Sequence, residues 1–227
     1  MFGQVFSRTL AVLSFLSAAV MSSPVLAYEA GDWIIRGRVI LVQPTETSST
    51  IRVDNVSVPG SGVTVDDDIQ PEIDITYMFT KHWGAELILG QSQHDVSGKG
   101  SLVGLGPIID LHLLPPTLTL QYHFLPDNNI RPYVGMGVSY VHPFEEKVTG
   151  GLAAPGARVK VEDSLGFALQ AGVDIDVYKD WFVNFDIKYI DLETTGNFRR
   201  TAVGNVRNTV DVSVDPLVYG IGIGTRF

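Results

Sequence analysis

The sequence predicts an all-β fold: an eight-stranded antiparallel up-and-down transmembrane β-barrel with short periplasmic turns and four long extracellular loops. Three observations predict it. Apolar and polar residues alternate with a period of two in repeated runs. Tight and long connections alternate strictly between those runs. Aromatic residues gather near the run ends, as in the interfacial girdles of membrane barrels.

The first stretch does not belong to the fold. Arg8 supplies a positive start, residues 10–20 (LAVLSFLSAAV) form an apolar core too short to span a bilayer, and Val25-Leu26-Ala27 offers a small-residue cleavage site. Residues 1–27 read as a signal peptide removed after Ala27, leaving 28–227 as one barrel domain. No later run approaches the roughly 20 apolar residues that a membrane helix needs.

The strands follow in order. The first, about 32–42, sets Ile35, Gly37, Val39 and Leu41 against Arg36, Arg38 and Ile40. From Ile69, one face carries Ile69, Pro71, Ile73, Ile75, Tyr77 and Phe79, and the other Gln70, Glu72, Asp74, Thr76 and Met78. Trp83, Ala85, Leu87 and Leu89 oppose Gly84, Glu86, Ile88 and Gly90. Leu118 to Phe124 and Val134 to Tyr140 repeat the pattern against Thr117, Gln121 and His123, and against Tyr133, Gly135 and Ser139. Leu165 to Ile175 oppose a face with Gln170 and Asp174, and Trp181 to Tyr189 oppose Phe182, Asn184, Asp186 and Lys188. The last run, about 210–227, changes parity near Pro216 if its valines face lipid, which predicts a bulge or bend at Asp215-Pro216.

Tight connections fall at Thr80-Lys81-His82, Pro126 to Asn129 and Tyr178-Lys179-Asp180, and long ones at about 44–68, 91–116, 143–163 and 192–209. An even strand count puts both termini in the periplasm. A soluble lipocalin-like barrel would also alternate, with its apolar face inward. The girdles, the glycines and charges opposite the apolar face, and the final strand closing on Phe227 favour the membrane.

Composition narrows the function. Formal net charge is −9, and removing Arg8 with the leader makes the mature chain −10. That argues against nucleic acid, whose phosphates need Lys and Arg. The chain has no cysteine, so an exported fold must be held by its own hydrogen bonds. The five histidines show no metal-ligand spacing, and Asp66-Asp67-Asp68 reads as a solvated charge run. No nucleophile, base and orienter set is evident, so neither an enzyme nor a cofactor is expected.

Three residue sets are candidates for function. Inward-facing Ile40, Met78, Ile88, Phe182, Ile190 and Val218 either pack the lumen or line a channel. The apolar segment 102–114 brings Leu102, Leu105, Leu111 and Leu113 to a funnel mouth, or packs on the barrel rim. Arg36, Arg38, Glu72, Asp74, Glu86, Asp174, Asp186 and Lys188 face inward and must pair; a salt-bridge network plugging the floor is favoured over an ion path.

Several segments resemble the outer membrane protein W family: Trp33 and Arg36, Asp110 to Tyr122 with its Pro115-Pro116 pair, Arg131-Pro132-Tyr133-Val134-Gly135-Met136-Gly137, Asp180-Trp181, and Val212 to Pro216. The resemblance implies an eight-stranded barrel in a Gram-negative outer membrane, with a narrow hydrophobic channel. It implies passive passage of small hydrophobic molecules, with sideways release into the membrane as one route; relatives include alkane importers. Outer-membrane lipids, small hydrophobic ligands and the barrel-assembly machinery, met through the strand ending on Phe227, are the expected partners of a monomer. The competing reading is a closed structural or receptor barrel whose loops bind a phage or bacteriocin.

Overall fold

A computed structural model describes residues 27–53, 56–201 and 208–227. The expected signal peptide lies outside them except for Ala27. Eight strands build the barrel: β1 (Trp33–Gln43), β2 (Asp68–Met78), β3 (Trp83–Gly90), β4 (Thr117–His123), β5 (Ile130–Val148), β6 (Ser164–Tyr178), β7 (Trp181–Asp191) and β8 (Leu217–Arg226). Each pairs antiparallel with its sequence neighbours. β8 returns to β1 with Arg38 opposite Gly222. Closure leaves no open edge, so the backbone polar groups inside a bilayer find partners within the sheet. At the seam Trp33 N–H donates to the Phe227 carbonyl at 3.1 Å, and Phe227 N–H donates back at 2.9 Å.

The period of two decides which face goes where. Trp33, Ile35 and Val39 of β1 and Ile69, Ile73 and Tyr77 of β2 are exposed on the outer wall, while Arg36, Arg38, Glu72 and Asp74 are buried in the lumen. Apolar outside and charged inside is the arrangement of a barrel solvated by lipid. Outer rings gather at the tight-turn end, where Trp33 meets Tyr77 and Trp83 meets Tyr122 at centroid distances of 4.9 Å. By the rule for such barrels this is the periplasmic end.

Large inward side chains fit because small residues face them. A Cβ on Gly172 would lie 2.4 Å from the Tyr133 ring, and one on Gly224 would lie 2.3 Å from the Phe182 ring. Both distances are far inside van der Waals contact, so glycine at these positions makes room for the rings.

The four long connections fall where the sequence places them, yet they are largely β-structure. They raise the wall as two sheets. Ser61–Val65, Ser92–Gly100 and Pro107–Leu114 continue onto the upper part of β5. Arg158–Val161, Glu193–Arg199 and Asn208–Val214 form the other sheet, joined by short strands from the first connection. Residues of both sheets, Val63, Ile109 and Leu111 with Val161, Phe198 and Val210, share one apolar core.

The final run is interrupted at Asp215-Pro216, as expected, but its parity does not change. Pro216 has no N–H to give; instead its carbonyl receives Ile190 N–H at 3.2 Å, and Asp215 N–H turns to Thr45 O at 3.3 Å. Val210 and Val212 stay on the same inward face as Val218. The expectation that they face lipid is corrected: above the membrane the inside of the wall is the apolar side.

Candidate functional site

The lumen is built in three layers. Lowest is an apolar floor of Ile34, Met78 and Phe182, closed by Tyr28 just before β1. The Tyr28 hydroxyl donates to Asp174 Oδ2 at 2.8 Å, and the Arg131 guanidinium lies 4.3 Å from its ring centre. Arg131 itself makes a two-pronged ion pair with Asp176. Met78 and Phe182, candidates for a channel lining, belong to this floor.

Above it lies the charge layer, which gathers all eight predicted residues. Arg36 reaches Glu86 at 3.0 Å and grips Asp174 through Nε and a terminal nitrogen at 3.2 and 2.7 Å. Arg38 contacts Glu72, Asp74 and Asp186 at 3.2, 3.1 and 3.4 Å. Lys188 joins Glu72 at 2.6 Å and Asp186 at 3.1 Å. Cations on β1 and β7 meet carboxylates on β2, β3, β6 and β7, so the network ties strands across the lumen. Neutral side chains fill the remaining sites. Gln121 and Gln170 donate to Glu86 at 2.7 and 2.8 Å, and Asn184 donates to Asp174 at 2.7 Å. The Tyr133 hydroxyl donates to Asp186 at 3.0 Å and accepts from Arg38 at 3.1 Å. Sequence reasoning did not single out Tyr28, Gln121, Arg131, Tyr133, Gln170 or Asn184. Alternation places all but Tyr28 on the lumen face, and polarity there was the available signal.

The uppermost layer is a cavity with about 140 Å³ of open space. Ile40, Ile88, Ile190 and Val218 line it from the barrel, and Leu111 and Leu113 from the strand Pro107–Leu114. Val141, Val210 and Val212 add to this apolar wall. Leu102 and Leu105 do not reach the cavity; they pack from outside against the shared core of the two sheets. Glu72 and Lys188, the top of the charge layer, form part of the lining.

Among the described residues the two sheets of the raised wall are not paired with each other, and one junction between them is a seam above β5 and β6. The backbone ladder between β5 and β6 ends at Val141 opposite Ser164. Higher up, side chains bridge the seam. Asp163 accepts from the Tyr140 hydroxyl at 2.8 Å and meets His142 Nδ1 at 2.8 Å, and Glu146 accepts from Val161 N–H at 2.9 Å. Pro143, Val161 and Glu162 beside it line the cavity. The Asp163 carboxyl lies below the ordinary carboxylate range, first because Tyr140 donates to its charged form and next because His142 does.

The Asp66-Asp67-Asp68 run is engaged by neighbours: Gln93 N–H donates to Asp68 at 2.8 Å and Gln43 to Asp67 at 3.1 Å. Among the described residues no group of three or more histidine or acidic side chains is placed to hold a metal ion.

Comparison with known proteins gives one consistent result. The OmpW family model matches residues 29–227. Outer membrane protein W of Vibrio cholerae is 34% identical over 92% of this chain and 95% of its own length. The crystal structure of the outer membrane protein OprG from Pseudomonas aeruginosa superposes with a TM-score of 0.82 at 36% identity, covering 88% of this chain and 98% of that one. The dibenzothiophene metabolism operon protein PahQ of Pseudomonas aeruginosa is 29% identical over 91% of this chain and 93% of its length.

Proposed function

The chain belongs to the OmpW family, an outer-membrane barrel of a Gram-negative bacterium, and from that premise we propose that it passes small hydrophobic molecules inward by passive entry. The observation that carries this reading is the apolar cavity at the extracellular end, standing directly on a buried charge layer. An apolar solute gains by leaving water for such a cavity, whereas crossing the charge layer would break buried ion pairs and offer nothing in their place. The favoured exit is therefore sideways, through the seam between β5 and β6. One relative is named for an operon of dibenzothiophene metabolism, and dibenzothiophene is an apolar aromatic compound.

The filled lower lumen also suits the alternative, a closed barrel whose raised loops bind an external partner. Uptake separates the two. Cells or liposomes carrying the protein should accumulate n-octane faster than those without it; equal accumulation removes the channel reading. The proposal contains no catalytic step and no cofactor. It takes residues 1–27 as a removed signal peptide, the barrel as a monomer, and the strand ending on Phe227 as the one met by the barrel-assembly machinery.

A further inference from the structure

The charge layer holds more carboxyl groups than cations. Five buried carboxylates (Glu72, Asp74, Glu86, Asp174 and Asp186) share the layer with three buried cations (Arg36, Arg38 and Lys188). Arg131 does not correct this, because Asp176 takes it. Where the layer meets the cavity, Glu72 and Lys188 face it, and Glu162 stands at the rim. Lys188 is the only lysine or arginine among the described lining residues. Lys188 is already held by Glu72 and Asp186.

Glu72 is nine-tenths or more buried at the foot of the apolar wall. Its Oε1 receives both Arg38 and Lys188, at 3.2 and 2.6 Å. Its Oε2 receives no hydrogen bond from any described residue. A carboxylate oxygen left without a donor in a cleft of low polarity is a strong acceptor for an arriving one. The Thr117 hydroxyl, also in the lining, donates to Pro115 O at 3.1 Å and accepts from the Ser139 hydroxyl at 2.8 Å, which leaves it acceptor capacity.

We propose that the cavity selects amphipathic molecules: a small apolar body with one hydrogen-bond-donating head, which docks on Glu72 at the cavity floor. The inference rests on the hydrophobic-passage reading and adds the head-group chemistry to it. An ammonium head is favoured most, since it pairs with Oε2 through a charge-assisted hydrogen bond. A hydroxyl head comes next. A carboxylate head is disfavoured, because at the floor it meets Glu72 while Lys188 is already paired with Glu72 and Asp186.

The test uses the full barrel in lipid nanodiscs, with empty nanodiscs correcting for partition into lipid. Octylamine, 1-octanol, n-octane and octanoate compete at neutral pH against a fluorescent apolar probe. Octylamine should displace the probe about tenfold better than octanoate, the size of one charge-assisted hydrogen bond. In Glu72→Gln that ratio should fall about tenfold, and in Glu162→Gln, at the rim, by a smaller factor. Octanoate matching octylamine on the wild-type barrel overturns the proposal, and this arm holds even if a variant does not fold. An unchanged ratio in a folded Glu72→Gln barrel overturns it as well. If n-octane also fails to displace the probe, the hydrophobic-passage reading falls with it; if n-octane competes but heads are not distinguished, only the head-group inference falls.

Discussion

Arg36 on β1 grips Asp174 on β6 through Nε and a terminal nitrogen, at 3.2 and 2.7 Å, with both side chains fully buried. The two lie 138 residues apart in sequence, on strands separated around the barrel by β7 and β8. This pair also anchors the floor, since Asp174 accepts the Tyr28 hydroxyl.

Truncating one partner strands the other. Asp174→Ala should destabilise the barrel by about 3–5 kcal/mol, because Arg36 then loses its two-pronged acceptor in a dry interior. Urea unfolding from lipid vesicles measures the loss. A change near zero would mean that the lumen at this level is wet.

Gly224 leaves room for Phe182, whose ring would lie 2.3 Å from an added Cβ. Gly224→Ala should cost about 1–3 kcal/mol by overpacking, and adding Phe182→Leu should recover part of it. The same unfolding measurement checks both. Strictly additive losses would contradict the contact.

The seam should respond to acid. The Asp163 carboxyl titrates below the ordinary range because Tyr140 and His142 hydrogen-bond its charged form. Those contacts are therefore complete above the ordinary carboxylate range and fade as pH falls through the lowered value. Octane uptake should rise only in acid, as pH falls below the ordinary carboxylate range. Asp163→Asn should raise uptake at neutral pH by roughly two- to threefold, the modest scale of an exposed contact, and flatten the acid rise. A neutral-pH rate equal to wild type would contradict the role of this contact.

Filling the cavity should stop entry without touching the charge layer. Val212→Trp projects an indole into about 140 Å³ of open space, and octane uptake should fall to roughly that of protein-free vesicles. A folded barrel with undiminished uptake would place the route elsewhere.

The alternation made the strands, their faces and the inward charges legible, because a lipid-facing wall forces the period on every strand. Height along the barrel was not legible. Met78 and Ile88 share the inward parity, yet Met78 packs in the floor and Ile88 lines the cavity. Period two reports a side of the wall and carries no depth. The valines 210 and 212 misled for a related reason: the rule that puts apolar residues outside holds within the bilayer and reverses above it. Leu102 and Leu105 were marked by their hydrophobicity alone, and that property does not separate a cavity wall from the core behind it. The polar partners Gln121, Gln170 and Asn184 sat on the correct face, but an uncharged amide signals a network only once its neighbours across the lumen are known.

Closing the seam between β5 and β6 should stop apolar molecules from leaving the cavity. The chain has no cysteine, so a pair introduced there is the only one present. His142 and Asp163 meet across the seam at 2.8 Å, which makes His142→Cys with Asp163→Cys the pair to join. Octane uptake by this variant should drop towards the protein-free rate on oxidation and return on reduction. Equal uptake in the oxidised and reduced forms, with the disulfide shown to be formed, would contradict sideways release.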